Sequence, residues 1–406
     1  MGVAQKIKAN LIKPVRIIGK KFLLKFLYPS VYKHYAKAPL NENKVVFIET
    51  RARQITSPFQ LMYKTLQDNY NFELCTVFLL IDNCSRFQQI KRSVAMIREV
   101  ATARYVFIND GFSILSNTPI RKGTFFTQLW HGCGAFKKFG FSTADLLFGA
   151  SKNQQLKYPS HNIANLVTVS SPEVVWAYQE AMRIDKSSDI VMPLGVSRTD
   201  IFYDKDFLNS AKARLEEFVP CSRGKKVILY APTFRGRTAS ASAPRMLNLD
   251  KFYKHFNKDY VIVMKQHPFV KESPVIPEKY KNFAVDVQGE MSIDQLISVA
   301  DVCISDYSSL VFEYSLFEKP MLFYAYDYED YCDWRGFFYP YNELSPGPIC
   351  TNDEQMIDFI ENIEAKFDKQ AVVDFKNKFM SSCDGSATLR ILEKVFAENL
   401  DKYAKS

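Results

Sequence analysis

Asp301-Val302-Cys303-Ile304-Ser305-Asp306-Tyr307-Ser308-Ser309-Leu310-Val311-Phe312-Glu313-Tyr314 decides the fold class. Its first five residues form a short β-type apolar run. Its last five open a helical pattern, and a carboxylate and two serines stand between. Serine belongs at a helix start, because its hydroxyl accepts a hydrogen bond from an unpaired N–H of the first turn. The reading is strand, polar loop, helix, which is half of a βαβ unit. Further runs in this half of the chain are Lys226–Ala231, Tyr260–Lys265, Phe283–Val287 and Pro320–Tyr324, with helices over Leu249–Phe256, Ile293–Val299 and Leu310–Phe317. The first half alternates in the same way. Its strand-like runs are Lys44–Glu49, Leu74–Ile81, Arg104–Asn109, Phe125–Trp130, Leu146–Ala150 and Leu166–Val169, and its helices include Phe59–Asn69 and Phe87–Ala101. The tail from Asp353 to Lys405 reads as helices only. The sequence predicts an α/β protein of two Rossmann-like domains, 39–219 and 220–406, with parallel sheets facing a central cleft.

Residues 1–38 form a separate basic arm. They hold nine Lys or Arg and no Asp or Glu; without those nine, the 53 basic residues of the chain fall to 44, equal to its 44 acidic ones. Large apolar residues such as Ile12, Val15, Ile18, Phe22 and Phe26 lie between the charges. This mixture suits an anionic membrane surface, the apolar groups entering the headgroup boundary and the cations meeting acidic lipid. Lysines every few residues exclude a membrane span, and no small-residue cleavage site follows an apolar run. Lys6 stands where N-myristoylation needs Ser or Thr. Pro14 splits the arm into two helical pieces, with Val15, Ile18, Phe22 and Phe26 on one face of the second. The competing reading is a helix packed on the body with solvated lysines. A neutral body gives no track for phosphates, so nucleic acid is not an expected partner. Eight scattered Cys without a CxxC pair, beside five His, exclude a zinc cluster and point to a reducing compartment. The expected location is therefore peripheral, on the cytoplasmic face of a membrane.

In open α/β sheets ligands bind beyond the carboxyl ends of the strands. His131 follows the run Phe125–Trp130, with Gly132, Gly134, Lys137 and Lys138 behind it, a candidate general base beside an anion site. The two glycines are expected to let the backbone approach a ligand closely. His267 follows Tyr260–Lys265, so each domain offers one histidine to the cleft. His34, His161 and His255 fall outside this pattern. Thr233, Arg235 and Arg237 follow Lys226–Ala231; the arginines are candidate phosphate forks, and two solvated loop arginines explain them equally well. Ser305, Ser308 and Ser309 form a candidate diphosphate site at a helix start, and Glu313, one turn on, is placed to accept from a ribose or polyol hydroxyl.

These loops resemble the CDP-glycerol:poly(glycerophosphate) glycerophosphotransferase family of teichoic acid synthesis. The matching residues run from Gln128-Leu129-Trp130-His131-Gly132 through Leu194-Gly195-Val196-Ser197-Arg198-Thr199-Asp200, Tyr230-Ala231-Pro232-Thr233-Phe234-Arg235 and Lys265-Gln266-His267 to Ser305-Asp306-Tyr307-Ser308-Ser309 and Asp384-Gly385-Ser386-Ala387-Thr388-Leu389-Arg390. The resemblance implies a GT-B-like pair of domains, monotopic membrane association in a bacterium, and transfer of glycerol phosphate from CDP-glycerol to a polyprenyl-diphosphate-linked acceptor, releasing CMP. It implies catalytic roles for His131 and His267, and nucleotide-phosphate contacts from Arg235 and the loop Ser305–Ser309. With the positions read above, the expected substrate-binding set is Gly132, Lys137, Lys138, Arg198, Thr233, Arg235, Ser305, Asp306, Ser308, Ser309 and Glu313. Protein cations are expected in place of a metal, with no cofactor, and Asp306 is the one carboxylate that could hold an ion. The family's CDP-glycerol users often read Thr-Pro-Leu after His-Gly. Here the residues are Cys133-Gly134-Ala135, so CDP-ribitol is the rival donor. A GT-B sugar transferase and a non-catalytic membrane scaffold are the readings from other classes.

Overall fold

The computed structural model describes residues 17–147, 149–236 and 240–405. The first 16 residues of the arm, Arg237 and part of the loop Gly236–Pro244 lie outside the described residues. The first sheet contains β1 (Asn41–Glu49), β2 (Glu73–Phe78), β3 (Ala103–Ile108), β4 (Phe125–Gln128), β5 (Leu166–Thr168) and β6 (Val191–Met192). The second contains β7 (Lys226–Tyr230), β8 (Tyr260–Met264), β9 (Ala284–Asp286), β10 (Val302–Ser305), β11 (Met321–Tyr324) and β12 (Ile349–Cys350). Both sheets are parallel throughout. Helices on both faces explain why the strands are continuous apolar runs: Val45, Val46, Phe47 and Ile48 are all fully buried.

The first sheet runs β2-β1-β3-β4-β5-β6 and the second β12-β11-β10-β7-β8-β9. Read from β9, the second has the doubly wound dinucleotide-fold order. Its direction of winding reverses between β7 and β10, which pair Leu229 with Cys303. The first reverses between β1 and β3, where Val46 lies opposite Val106. Each reversal opens a crevice at the carboxyl ends of its strands. The fold is α/β and GT-B-like, as expected.

Three local expectations change. The described residues of Leu146–Ala150 form no strand: Leu147 is exposed, and Gly149 lies so close to the Thr143 carbonyl that a Cβ there would fall 1.8 Å from its oxygen. β6 and β12 went unread because two residues carry no periodicity. The tail also crosses back to the first sheet. Ile391, Leu392, Val395 and Phe396 of helix Ala387–Phe396 pack with Val45, Phe47 and Phe107, and Tyr70 pairs with Ala404.

The described part of the arm is helical, with one wider π-type turn over Leu23–Leu27 leading into Tyr28–Tyr35. Leu24, Tyr28 and Tyr32 are buried with Met96 and Val100 of helix Arg86–Ala101. The Tyr32 hydroxyl accepts from the Arg121 amide at 3.1 Å. Lys25 donates to Asn117 at 2.8 Å, and the Lys20 ammonium lies 4.6 Å from the centre of the Tyr158 ring. The opposite face leaves Ile17, Ile18, Phe22 and Phe26 more than half exposed. The packed-helix reading and the exposed apolar face therefore coexist. Among the described residues no helix is long and apolar enough to cross a membrane.

Candidate functional site

The carboxyl ends of β1, β3 and β4 face those of β7, β8 and β10 across a cleft of about 770 Å³. His131, Gly132, Lys137, Arg198, Thr233, His267, Ser308 and Ser309 all line it. Lys138 does not; its backbone amide donates to the Gly336 carbonyl and its side-chain methylenes lie along that residue.

His131 reaches the cleft through backbone strain. Trp130 sits in the left-handed region with φ 56°, a conformation costing a non-glycine residue about 1 kcal/mol or more. It turns the chain sharply after β4. Nδ1 of His131 lies 2.8 Å from the Asn109 carbonyl. A carbonyl only accepts, so Nδ1 carries the proton and Nε2 keeps its lone pair, the tautomer a general base needs. The Trp130 ring stacks on the imidazole at 4.5 Å. Asn109 is fixed in turn by Glu49 (3.2 Å), whose other oxygen accepts from the Thr56 amide and hydroxyl at 2.6 Å. The ends of β1 and β3 thus hold the histidine at the end of β4.

His267 has the opposite tautomer. Its Nδ1 accepts from the Phe269 amide at 3.2 Å, so Nε2 bears the hydrogen. Phe234 and Phe269 pack on the ring, each at 4.7 Å. One wall of the cleft presents an imidazole acceptor and the other an imidazole donor.

Several expected contact residues turn out to be occupied by protein groups. Arg198 donates to the His131 carbonyl at 2.8 Å and to Asp294 at 2.7 Å, with Glu313 at 3.5 Å. Burial opposes its charge; Asp294 and Glu313 outweigh that and keep it protonated. Glu313 is 2% exposed, and burial raises its pKa. It is a buried partner of Arg198, so the expected polyol contact gives way to an ionic link between the two halves. Arg235 spends Nε and Nη2 on Asp327 (2.6 and 3.0 Å) and Nη1 on Asp306 (2.9 Å) and the Thr233 carbonyl (2.7 Å). The face that would fork a phosphate is filled by Asp327. Asp306 also accepts from the Thr233 amide and hydroxyl at 2.8 and 3.0 Å and from the Tyr307 amide at 2.6 Å. It ties the β7 loop to the β10 loop. Ser305 is buried and donates to the Ala231 carbonyl at 2.9 Å. Of the serines, only Ser308 and Ser309 present themselves to the cleft. Gly134, expected to admit a ligand, has φ 62° and lies against the Phe312 ring, where a Cβ would fall 2.3 Å from a ring carbon. It lets the His131 loop close onto helix Leu310–Ser315.

The structure adds Arg51, Asn109, Asp110, Trp130 and His161 to the cleft. Asn109 and Asp110 stand at a strand end and were open to the strand-end rule. His161 had no such signal, since its loop leads into β5 instead of following the carboxyl end of a strand. It belongs to the site all the same, 5.8 Å from Trp130.

The profile of the CDP-glycerol:poly(glycerophosphate) glycerophosphotransferase family matches residues 30–397. The teichoic acid poly(ribitol-phosphate) polymerase of Bacillus spizizenii is 34% identical over 374 residues, covering 91% of this chain and 58% of that protein. The teichoic acid ribitol-phosphate primase of the same organism is 31% identical over 378 residues, covering 91% of this chain and 95% of that one. A solved structure of a variant of the wall teichoic acid polymerase TagF superposes with a TM-score of 0.76 at 20% identity, covering 99% of both chains. With two opposed histidines at the strand ends of a double Rossmann-like fold, this chain belongs to the CDP-glycerol:poly(glycerophosphate) glycerophosphotransferase family, a family of polyol-phosphate transferases.

Proposed function

We propose that the protein transfers ribitol phosphate from CDP-ribitol to a hydroxyl of a polyprenyl-diphosphate-linked acceptor, releasing CMP. The observation that carries this is the pair of opposed tautomers, Nε2 of His131 as acceptor and Nε2–H of His267 as donor, facing one cleft. Nε2 of His131 takes the proton of the attacking hydroxyl as its oxygen bonds to the phosphorus that carries the polyol. The bond from that phosphorus to the CMP oxygen breaks. His267 donates a hydrogen bond to the charge developing on the phosphate oxygens, while Ser308 and Ser309 hold the diphosphate. Arg198 fixes the His131 loop from behind.

Ribitol is favoured by the relatives. The two ribitol enzymes of B. spizizenii are 34% and 31% identical to this chain, against 25% for its poly(glycerol phosphate) polymerase. CDP-glycerol is the second reading, supported by the family description. The apolar face Ile17, Ile18, Phe22 and Phe26, with Lys21 beside it, supports docking on the cytoplasmic face of the membrane, where a lipid-linked acceptor is displayed. The test is CMP release from CDP-ribitol and, separately, CDP-glycerol with a lipid-linked acceptor. CMP from CDP-ribitol alone, lost in His131→Ala, is the expected result. A nucleoside diphosphate product from a nucleotide sugar would instead establish sugar transfer.

A further inference from the structure

Tyr158 lies where the arm meets the body, and three ammonium groups converge on it. Nζ of Lys20 is 4.6 Å from the ring centre, that of Lys157 5.7 Å and that of Lys25 5.9 Å. Lys20 and Lys25 belong to the arm, and Lys157 ends helix Lys152–Lys157 of the body. Like charges gathered on one ring repel, and the ring face offsets only part of that. Carboxylates would ordinarily do the rest, yet residues 1–38 and 152–161 contain no Asp or Glu. Among the described residues none of the three lysines forms an ion pair. Lys25 donates one N–H to the neutral Asn117 amide at 2.8 Å, which leaves it two. Partial burial lowers the Lys20 pKa, as expected of a cation short of a counter-charge. The Tyr158 hydroxyl is buried without a hydrogen-bond partner, a costly state for a donor. This corner lacks both negative charge and an acceptor.

The surroundings select the anion. Ile17 and Ile18, within one turn of Lys20, are more than half exposed, and Leu156 beside Lys157 is exposed as well. In the other direction Tyr158 leads through Pro159 and Ser160 to His161, which lines the cleft. The Asn117 side chain holds the Pro159 carbonyl at 3.0 Å, and the Phe112 amide holds that of Ser160. The cations therefore stand between an apolar face and the cleft. We infer that Lys20, Lys25, Lys157 and Tyr158 form a site for the diphosphate of the lipid-linked acceptor, with its lipid chain along the apolar face and its head toward the cleft. The inference deepens the transfer reading above and rests on it. A phospholipid phosphodiester brings one negative charge to three cations. A diphosphate esterified at both ends brings two, with oxygens enough to reach several ammonium groups and the Tyr158 hydroxyl. A soluble anion would leave the isoleucines in water. The arm supplies two of the three cations, so it is part of the acceptor site as well as an anchor.

The experiment measures binding of the full chain to phosphatidylcholine vesicles doped with a polyprenyl-diphosphate disaccharide or, at equal total charge, with phosphatidylglycerol. Wild type is expected to bind the diphosphate vesicles about tenfold more tightly, the size of one or two lysine contacts at a headgroup. Lys20→Gln combined with Lys157→Gln is expected to erase that ratio. Lys21→Gln combined with Lys33→Gln removes as much charge from exposed positions of the arm and should weaken binding to both vesicles alike, with the ratio kept. Tyr158→Phe keeps the ring, drops the hydroxyl and should lower the ratio about threefold. A wild type that binds the two vesicles alike, or a ratio lost equally in the Lys21 and Lys33 variant, would overturn the site and leave only a general attraction to anionic surfaces. The transfer reading fails separately, if wild type bound to the diphosphate vesicles releases no CMP from either CDP-polyol, because the binding ratio needs no turnover.

Discussion

At the residue scale the site depends on which nitrogen carries each proton. His131→Ala removes the imidazole that the end of β4 brings to the cleft, so CMP release is expected to fall about 10²–10⁴-fold in a stopped assay. His131→Gln should not restore it, because an amide cannot take a proton. His161 gives a separate signal. Its folded pKa of about 4 lies below its ordinary value of 6.5, burial being the main cause. Between those values the unfolded chain binds more protons than the folded one, so stability rises with pH through that window and is lost as pH falls. His161→Gln is expected to flatten the fall in Tm between about pH 6.5 and pH 4. An unchanged acid limb would show that the imidazole is not desolvated as the structure has it. His131 was readable from sequence because it follows an obvious strand. His161 was not, because a loop residue is brought to the cleft by tertiary contacts with Gly111 and Gly140 that leave no local pattern.

At the element scale the strand-loop-helix units were the legible part. Apolar runs bounded by polar turns marked ten of the twelve strands among the described residues, within a few residues of where they lie. What stayed hidden was how the loops pair with one another. Thr233, Arg235, Asp306 and Asp327 come from three separate loops; the sequence showed Arg235 and Asp306 without showing that they pair, and nothing singled out Asp327. The same holds for Gly134, which read as room for a ligand and is room for Phe312. Gly134→Ala meets both a positive φ and a ring 2.3 Å away. It should destabilise the protein by about 1–3 kcal/mol, read as a lower midpoint in urea, with a loss of turnover as the His131 loop lifts from the second sheet's helix. A midpoint equal to wild type would contradict that packing.

At the scale of the whole molecule, the two halves are joined by charge as well as by apolar packing. Arg198 of the first half meets Asp294 and Glu313 of the second in a buried cluster. Arg198→Ala leaves two buried carboxylates without their cation and should cost about 3–5 kcal/mol in a chemical melt. The arm is anchored through Leu24, Tyr28 and Tyr32, so deleting residues 1–38 would strip part of the core along with any membrane contact. Substituting Ile18, Phe22 and Phe26 together by Ser separates the two effects. Binding to anionic vesicles is expected to drop about tenfold or more, with turnover of a soluble acceptor retained. Equal loss on both would remove the membrane role.

The return of helix Ala387–Phe396 to the first sheet has a consequence for biosynthesis. The apolar face formed by Val45, Phe47 and Phe107 is made before the second sheet, and its cover after it. The half that is translated first therefore finishes folding second, after the other sheet has formed and helix Ala387–Phe396 has left the exit tunnel. Throughout that interval the nascent chain carries an open hydrophobic surface. A holdase chaperone should bind chains stalled before residue 387 and release them once helix Ala387–Phe396 has docked.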